Sequence, residues 1–116
     1  MLRTQAAGIY AANMLGLSEQ VPAKIVLLTD GISRTIKAGP MEIIFKRTTP
    51  RQMAAAGRLS GLLIQAFKSL GAPHITPARI ERLRQNIPAG ERARVFQDIA
   101  LAPAWMRPFL NQVAKE

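Results

Sequence analysis

The chain has 116 residues, the size of one domain with one modest core. It contains no cysteine, so disulfides are excluded, and the composition fits a reducing compartment such as the bacterial cytoplasm. Sixteen Lys and Arg against seven Asp and Glu leave a net charge of +9, which favours anionic partners (nucleic acid, an acidic protein face, a phosphorylated surface) or serves solubility alone.

Met1 to Gly8 do not read as a signal peptide, and no run approaches the ~18 apolar residues of a membrane span. Thr4 to Leu15 is expected to be a helix. Ala6, Ile9, Tyr10, Asn13, Met14 and Leu17 recur at three- and four-residue spacing, and Gly16 is placed to stop it. Val21-Pro22 turns the chain into extended structure.

Lys24 to Thr29 reads as a central strand, its unbroken apolar run suggesting cover on both faces. Ser33 to Lys37 is a second, short strand after the Asp30-Gly31 turn. Met41 to Arg47 is a third, with Met41, Ile43 and Phe45 on one face. The short links predict an antiparallel meander, because parallel neighbours need a long crossover.

Beyond Thr49-Pro50 the period changes. Leu59, Leu62, Leu63, Ala66, Phe67 and Leu70 mark an amphipathic helix that Gly71 ends. Thr76 as N-cap and Pro77 at the first helical position open another, with Ile80, Leu83 and Ile87 as its stripe. Glu91 to Leu101 is a further helix with Val95, Phe96 and Ile99 inward. A last one from Pro103 carries Trp105, Phe109, Leu110 and Val113, kinked or split at Pro108. The expected fold is a single α+β domain over residues 1–116: an N-terminal helix, a three-stranded antiparallel meander, then three or four helices packed on one face.

The residues offer little for catalysis. His74 is the one histidine and reads as a loop residue; a lone His without Cys cannot build a structural zinc site. Glu19, Asp30, Glu42, Glu81, Glu91, Asp98 and Glu116 form no metal-binding or acid–base pair, and Asp98 is placed to meet Arg94 one turn away. No glycine-rich phosphate loop follows a strand. Arg58 and Ser60 at a helix start could hold a phosphate. The chain is therefore expected to be non-enzymatic, with no catalytic residue, metal or cofactor.

Binding is the better expectation. Lys24, Arg34, Lys37, Lys46, Arg47, Arg51 and Arg58 cluster on or beside the predicted sheet, opposed over that stretch only by Asp30 and Glu42. The scarcity of aromatics argues against base stacking in the manner of an RNA-recognition sheet. Arg79, Arg82, Arg84, Arg92 and Arg94 read as a solvated helix face.

Four strings carry a resemblance: Ala11-Ala12-Asn13-Met14-Leu15-Gly16-Leu17-Ser18-Glu19-Gln20-Val21-Pro22-Ala23-Lys24, Leu28-Thr29-Asp30-Gly31-Ile32-Ser33-Arg34, Ile44-Phe45-Lys46 and Ala102-Pro103-Ala104-Trp105-Met106-Arg107-Pro108. Over nearly its whole length the chain resembles the C-terminal domain of proteins related to the AbiEi-type antitoxins of type IV toxin–antitoxin systems. The resemblance implies a bacterial antitoxin that counteracts a nucleotidyltransferase-like toxin or guards the toxin's nucleic-acid target. It also implies a domain that can assist DNA binding in a transcriptional regulator. Such proteins usually carry an N-terminal winged helix. This sequence starts at Met1, just before the domain's first helix, so operator recognition is not carried over. No catalytic residue comes with the resemblance. Gln20, Lys24, Asp30, Ser33 and Arg34 match its strings and join the basic residues as candidate partner or nucleic-acid contacts. The alternative functions are a sequence-nonspecific nucleic-acid-binding domain or an inactive remnant of a longer regulator.

Overall fold

Residues 3–115 are described by the structure, a computed structural model. The first element corrects the sequence reading. Thr4–Ala7 is a strand, β1, and the helix α1 covers only Gly8–Met14. Gly8 takes φ 62°, a left-handed angle that turns the chain from strand into helix without a Cβ clash. The strand is set by pairing, not by propensity: its backbone runs antiparallel to β2, Lys24–Thr29, with Thr4 opposite Thr29 and Ala7 opposite Val26.

The end of α1 is as expected. Gly16, at φ 71°, is the C′ residue of a Schellman motif. Its N–H donates to the Asn13 carbonyl at 3.0 Å, and the Leu17 N–H donates to the Ala12 carbonyl at 2.9 Å.

The sheet is the second correction. β3, Arg34–Ala38, and β4, Met41–Arg47, form an antiparallel hairpin around Gly39-Pro40. Gly39, at φ 62°, supplies the positive angle that the first central residue of a type II′ turn requires. Yet β4, not β3, lies beside β2, and that pair is parallel. The result is a four-stranded mixed sheet in the order β1-β2-β4-β3, not a three-stranded antiparallel meander. Short links do exclude a crossover helix, but β3 itself serves as the crossover. It runs back one place further out, and β4 fills the gap. The 30–33 loop that allows this is pinned. The Arg3 N–H donates to the Asp30 carboxylate at 2.9 Å, and the Arg47 N–H donates to Ser33 Oγ at 2.8 Å.

The helical half follows the apolar pattern more closely. In α2, Leu59–Leu70, the side chains of Leu63, Ala66 and Phe67 are wholly buried, and Gly71 ends the helix at φ 80°. α3, Pro77–Asn86, opens as expected, with Thr76 Oγ1 accepting from the Arg79 N–H at 3.3 Å. α4, Ala89–Asp98, starts two residues before Glu91 and gives way to a 3-10 turn at Ile99–Leu101. The last predicted helix is split at its prolines. A 3-10 turn, Ala104–Met106, follows Pro103, and Pro108 sits in the first turn of α5, Arg107–Ala114, where its missing N–H breaks no helical bond.

Ala11, Ala12 and Leu17 pack with Leu63, Phe67, Ile80, Leu83, Val95, Met106, Leu110 and Val113 into one core. Phe96, expected to point inward, does not join it and is 62% exposed; Trp105 is also exposed, with its ring edge-on to Phe109 at 6.3 Å. The domain is α+β, with five helices and a four-stranded mixed sheet among the described residues; α1 and α2 are the helices that pack against the sheet.

Candidate partner-binding face

Side chains alternate across a strand, so register assigns each residue to a face. On one face lie Gln5 and Ala7 of β1, Lys24, Val26 and Leu28 of β2, Glu42, Ile44 and Lys46 of β4, and Thr35 and Lys37 of β3. The helices cover its β1 side. Gln5 and Ala7 are buried there, and Gly61 of α2 sits so close that a Cβ on it would lie 2.5 Å from Gln5 Oε1 and 2.4 Å from the Ala55 carbonyl oxygen.

The opposite face carries Ile25 and Leu27 of β2, Ile43 and Phe45 of β4, and Ile36 of β3. None of these belongs to the core, and the helix contacts of the sheet fall on β1 and β2. Ile25, Leu27, Ile43 and Phe45 are half-buried by their strand neighbours, and Ile36 is exposed. Val26, Leu28 and Ile44 on the first face are half-buried in the same way and likewise outside the core, so the expected full cover of β2 is corrected on both faces: its apolar run from Ile25 to Leu28 is only half-buried. Arg34 and Arg47 stand at one end of the row. The Arg34 guanidinium lies over the Phe45 ring, 5.3 Å from its centroid, an attraction between a cation and the negative face of the π-system. No carboxylate pairs with either arginine among the described residues.

The register divides the predicted basic cluster. Arg34 and Arg47 share the open face, whereas Lys24, Lys37 and Lys46 point to the other side. Lys24 and Lys37 flank Glu42 there, and Lys24 Nζ approaches the Glu42 carboxylate at 4.0 Å. Arg51 follows the sheet on the segment before α2. Arg58 reaches across to α4, where its guanidinium meets the buried Asp98 carboxylate at 3.0 Å. That contact replaces the expected Arg94–Asp98 pair and leaves the Arg58–Ser60 phosphate reading without its cation; the Ser60 hydroxyl is itself buried. Gln20 lies in the loop after α1, its carbonyl accepting from Asn13 Nδ2 at 3.2 Å and its N–H donating to Ser18 Oγ at 3.2 Å. Asp30 and Ser33 serve as the pins of the 30–33 loop. Sequence reasoning missed the apolar row itself. The signal was present in the alternation of Ile43 and Phe45, but a run such as Ile25-Val26-Leu27-Leu28 does not say whether anything covers it.

Asp30 is held below the ordinary aspartate range. The largest cause is the hydrogen bond from the Arg3 backbone N–H; desolvation opposes it, and the Asp30 N–H and the Arg3 guanidinium reinforce it. A depressed carboxyl pKa adds stability that is present above the unfolded-state pKa and is lost as pH falls through the folded value. Because the main donor is backbone, Arg3→Ala is expected to keep most of the depression. A carboxyl NMR titration checks this: a return of Asp30 to the ordinary value in that variant would show that the side chain, not the N–H, sets it.

Among the described residues no three His, Cys, Asp or Glu side chains converge as metal ligands. His74 sits in the 3-10 turn Ala72–His74, where its carbonyl accepts from the Arg79 guanidinium. No helix among the described residues is long and apolar enough to cross a membrane.

Neither a curated protein nor a solved structure matches this chain. The profile of a family of unknown function, DUF6088, matches residues 1–94. That span contains the whole sheet, with α1, α2, α3 and the first half of α4. The open face and its two arginines thus lie within the matched region, and the chain belongs to the DUF6088 family.

Proposed function

We propose that this domain works by contact rather than catalysis, as the antitoxin-type module its motifs resemble, and that the open face of the sheet carries the contact. The observation behind this reading is the row Ile25, Leu27, Ile43, Phe45 and Ile36, apolar and outside the core, with Arg34 and Arg47, without a carboxylate partner among the described residues, at its end. Apolar centres rimmed by arginine suit protein interfaces, because arginine and aromatic anchors carry much of their binding energy. The partner this surface fits is a protein with an acidic, partly apolar face. A nucleotidyltransferase-like toxin is the protein occupant the resemblance implies.

Co-expression with a nucleotidyltransferase-like toxin, where one is encoded next to this chain, is expected to restore growth. Ile43→Ser is expected to abolish the rescue while the variant stays folded by circular dichroism, since Ile43 is outside the core. Failure of the folded wild-type domain to rescue would overturn the antitoxin reading.

A second reading, nonspecific nucleic-acid binding, is favoured by the net charge of +9. It predicts duplex DNA or tRNA binding that weakens steeply with salt, with a log–log slope of about −0.9 per duplex phosphate neutralised. Ile43→Ser would leave such binding intact, which separates the two readings.

A further inference from the structure

A cleft separate from the apolar row lies between the segment after β4, one flank of α2 and the turn at Leu101–Pro103. Thr49, Arg51, Gln52 and Ala55 form one wall. Gly61, Ile64, Gln65 and Lys68, one stripe of α2 at helical spacing, form the floor, and Leu101, Ala102 and Pro103 close it. Its volume is about 300 Å³, the lower end of what small-molecule sites occupy.

The polar lining has one character. It contains two cations, Arg51 and Lys68, and no acid. Neither cation has a carboxylate partner among the described residues. The Gln52 Oε1 already accepts from the Thr48 hydroxyl at 2.9 Å, which leaves its NH₂ as the free end. Gln65 is only 8% exposed, yet none of the side-chain hydrogen bonds among the described residues uses its amide. The buried polar side-chain atoms without a partner among the described residues are those of Ser60, Arg92 and Asp98, so the Gln65 amide, which lines the cleft, reaches solvent there and is available to a ligand. Ile64, Leu101, Ala102 and Pro103 give the remaining surface an apolar character suited to a compact carbon body.

We propose that this cleft binds a small organic oxyanion, a carboxylate or phosphate monoester on a compact apolar body. Arg51 and Lys68 hold the anionic head. The Gln65 amide completes a polar contact from the floor, and Ile64, Leu101 and Pro103 pack on the body. The site is independent of the open sheet face, so either proposal can fail without the other.

The test is a ¹H–¹⁵N NMR titration of the full chain with phenyl phosphate and with phenylacetate. Inorganic phosphate and benzyl alcohol serve as the two half-ligands. Expected is a saturable shift of the Gln65 side-chain amide and of the 61–68 backbone by at least one organic anion, tighter than either half-ligand. Whichever anion binds tighter assigns the head group. Arg51→Gln and Lys68→Gln are each expected to weaken binding by about tenfold, as loss of a charge-assisted contact does, and Lys37→Gln on β3 is expected to leave it unchanged. Four results would overturn the proposal: no saturation by either anion, inorganic phosphate binding as tightly as phenyl phosphate, benzyl alcohol matching the anions, or Lys37→Gln weakening binding as much as Lys68→Gln.

Discussion

Replacing Phe67 by alanine is expected to cost about 3–5 kcal/mol, the range for removing a fully buried aromatic side chain and leaving a cavity. Phe67 is 0% exposed and packs in the shared core of α1, α2, α3 and α5. The loss is a large fraction of the roughly 5–15 kcal/mol that holds a domain folded. At this chain length each kcal/mol moves the melting temperature by about 4 °C, so a fall of about 12–20 °C is expected. Urea denaturation checks it, with the midpoint shifted and the slope unchanged. Phe96→Ala is the control. Phe96 is 62% exposed, and its loss is expected to stay within about 0.5 kcal/mol. Equal losses at the two positions would contradict the packing described here.

Gly61→Ala is expected to destabilise, against the usual sign. In an exposed helix interior, glycine to alanine gains about 1 kcal/mol of helix propensity. At Gly61 the new methyl would lie 2.4 Å from the Ala55 carbonyl oxygen and 2.5 Å from Gln5 Oε1. The Gln5 side chain can swing aside, but the Ala55 oxygen is backbone, so α2 or the segment before it must move. Overpacking of this kind costs typically about 1–3 kcal/mol beyond the propensity gain. Gly90, where a Cβ meets nothing within 4 Å, gives the comparison: Gly90→Ala is expected to be neutral or mildly stabilising. Thermal denaturation of the two variants side by side decides it, and a stabilised Gly61→Ala would mean that α2 does not press on β1.

The local parts of the fold were legible in the sequence, and the non-local parts were not. β2 and β4 have the expected bounds, because β2 carries an unbroken apolar run from Ile25 to Leu28 and β4 places Met41, Ile43 and Phe45 at alternate positions between turn signals. α2 and α3 were visible from their stripes, from Gly71 and from the Thr76-Pro77 cap. β1 was hidden because Thr4-Gln5-Ala6-Ala7 has no strand character of its own; only pairing with β2 makes it a strand. The parallel β2–β4 pair was hidden because loop lengths cannot say which of two later strands takes the neighbouring place. Phe96 and Trp105 fitted helical stripes whose helices the structure begins or ends elsewhere.

The candidate site shows the same division. The excess of cations near the sheet could be read from composition, but their partition between faces follows from a register that only the assembled sheet defines. Arg58 seemed free because its partner, Asp98, is forty residues away. Gln65 gave no signal at all: a glutamine beside an apolar stripe reads as solvent-facing until Leu101 to Pro103 are folded over it.

The strand order also sets the order in which the sheet can form. The β3–β4 hairpin closes around two residues, the smallest entropic cost in the sheet, whereas joining β2 to β4 means closing the whole 30–40 stretch. A sheet built in chain order would leave β2 with β1 alone and no fixed place for β4. The economical route makes the hairpin first and presents the free edge of β4 to β2. During translation β2 therefore emerges before its parallel neighbour exists. Its apolar edge stays unpaired until β4 has been made, an interval in which that segment is open to association with other nascent chains.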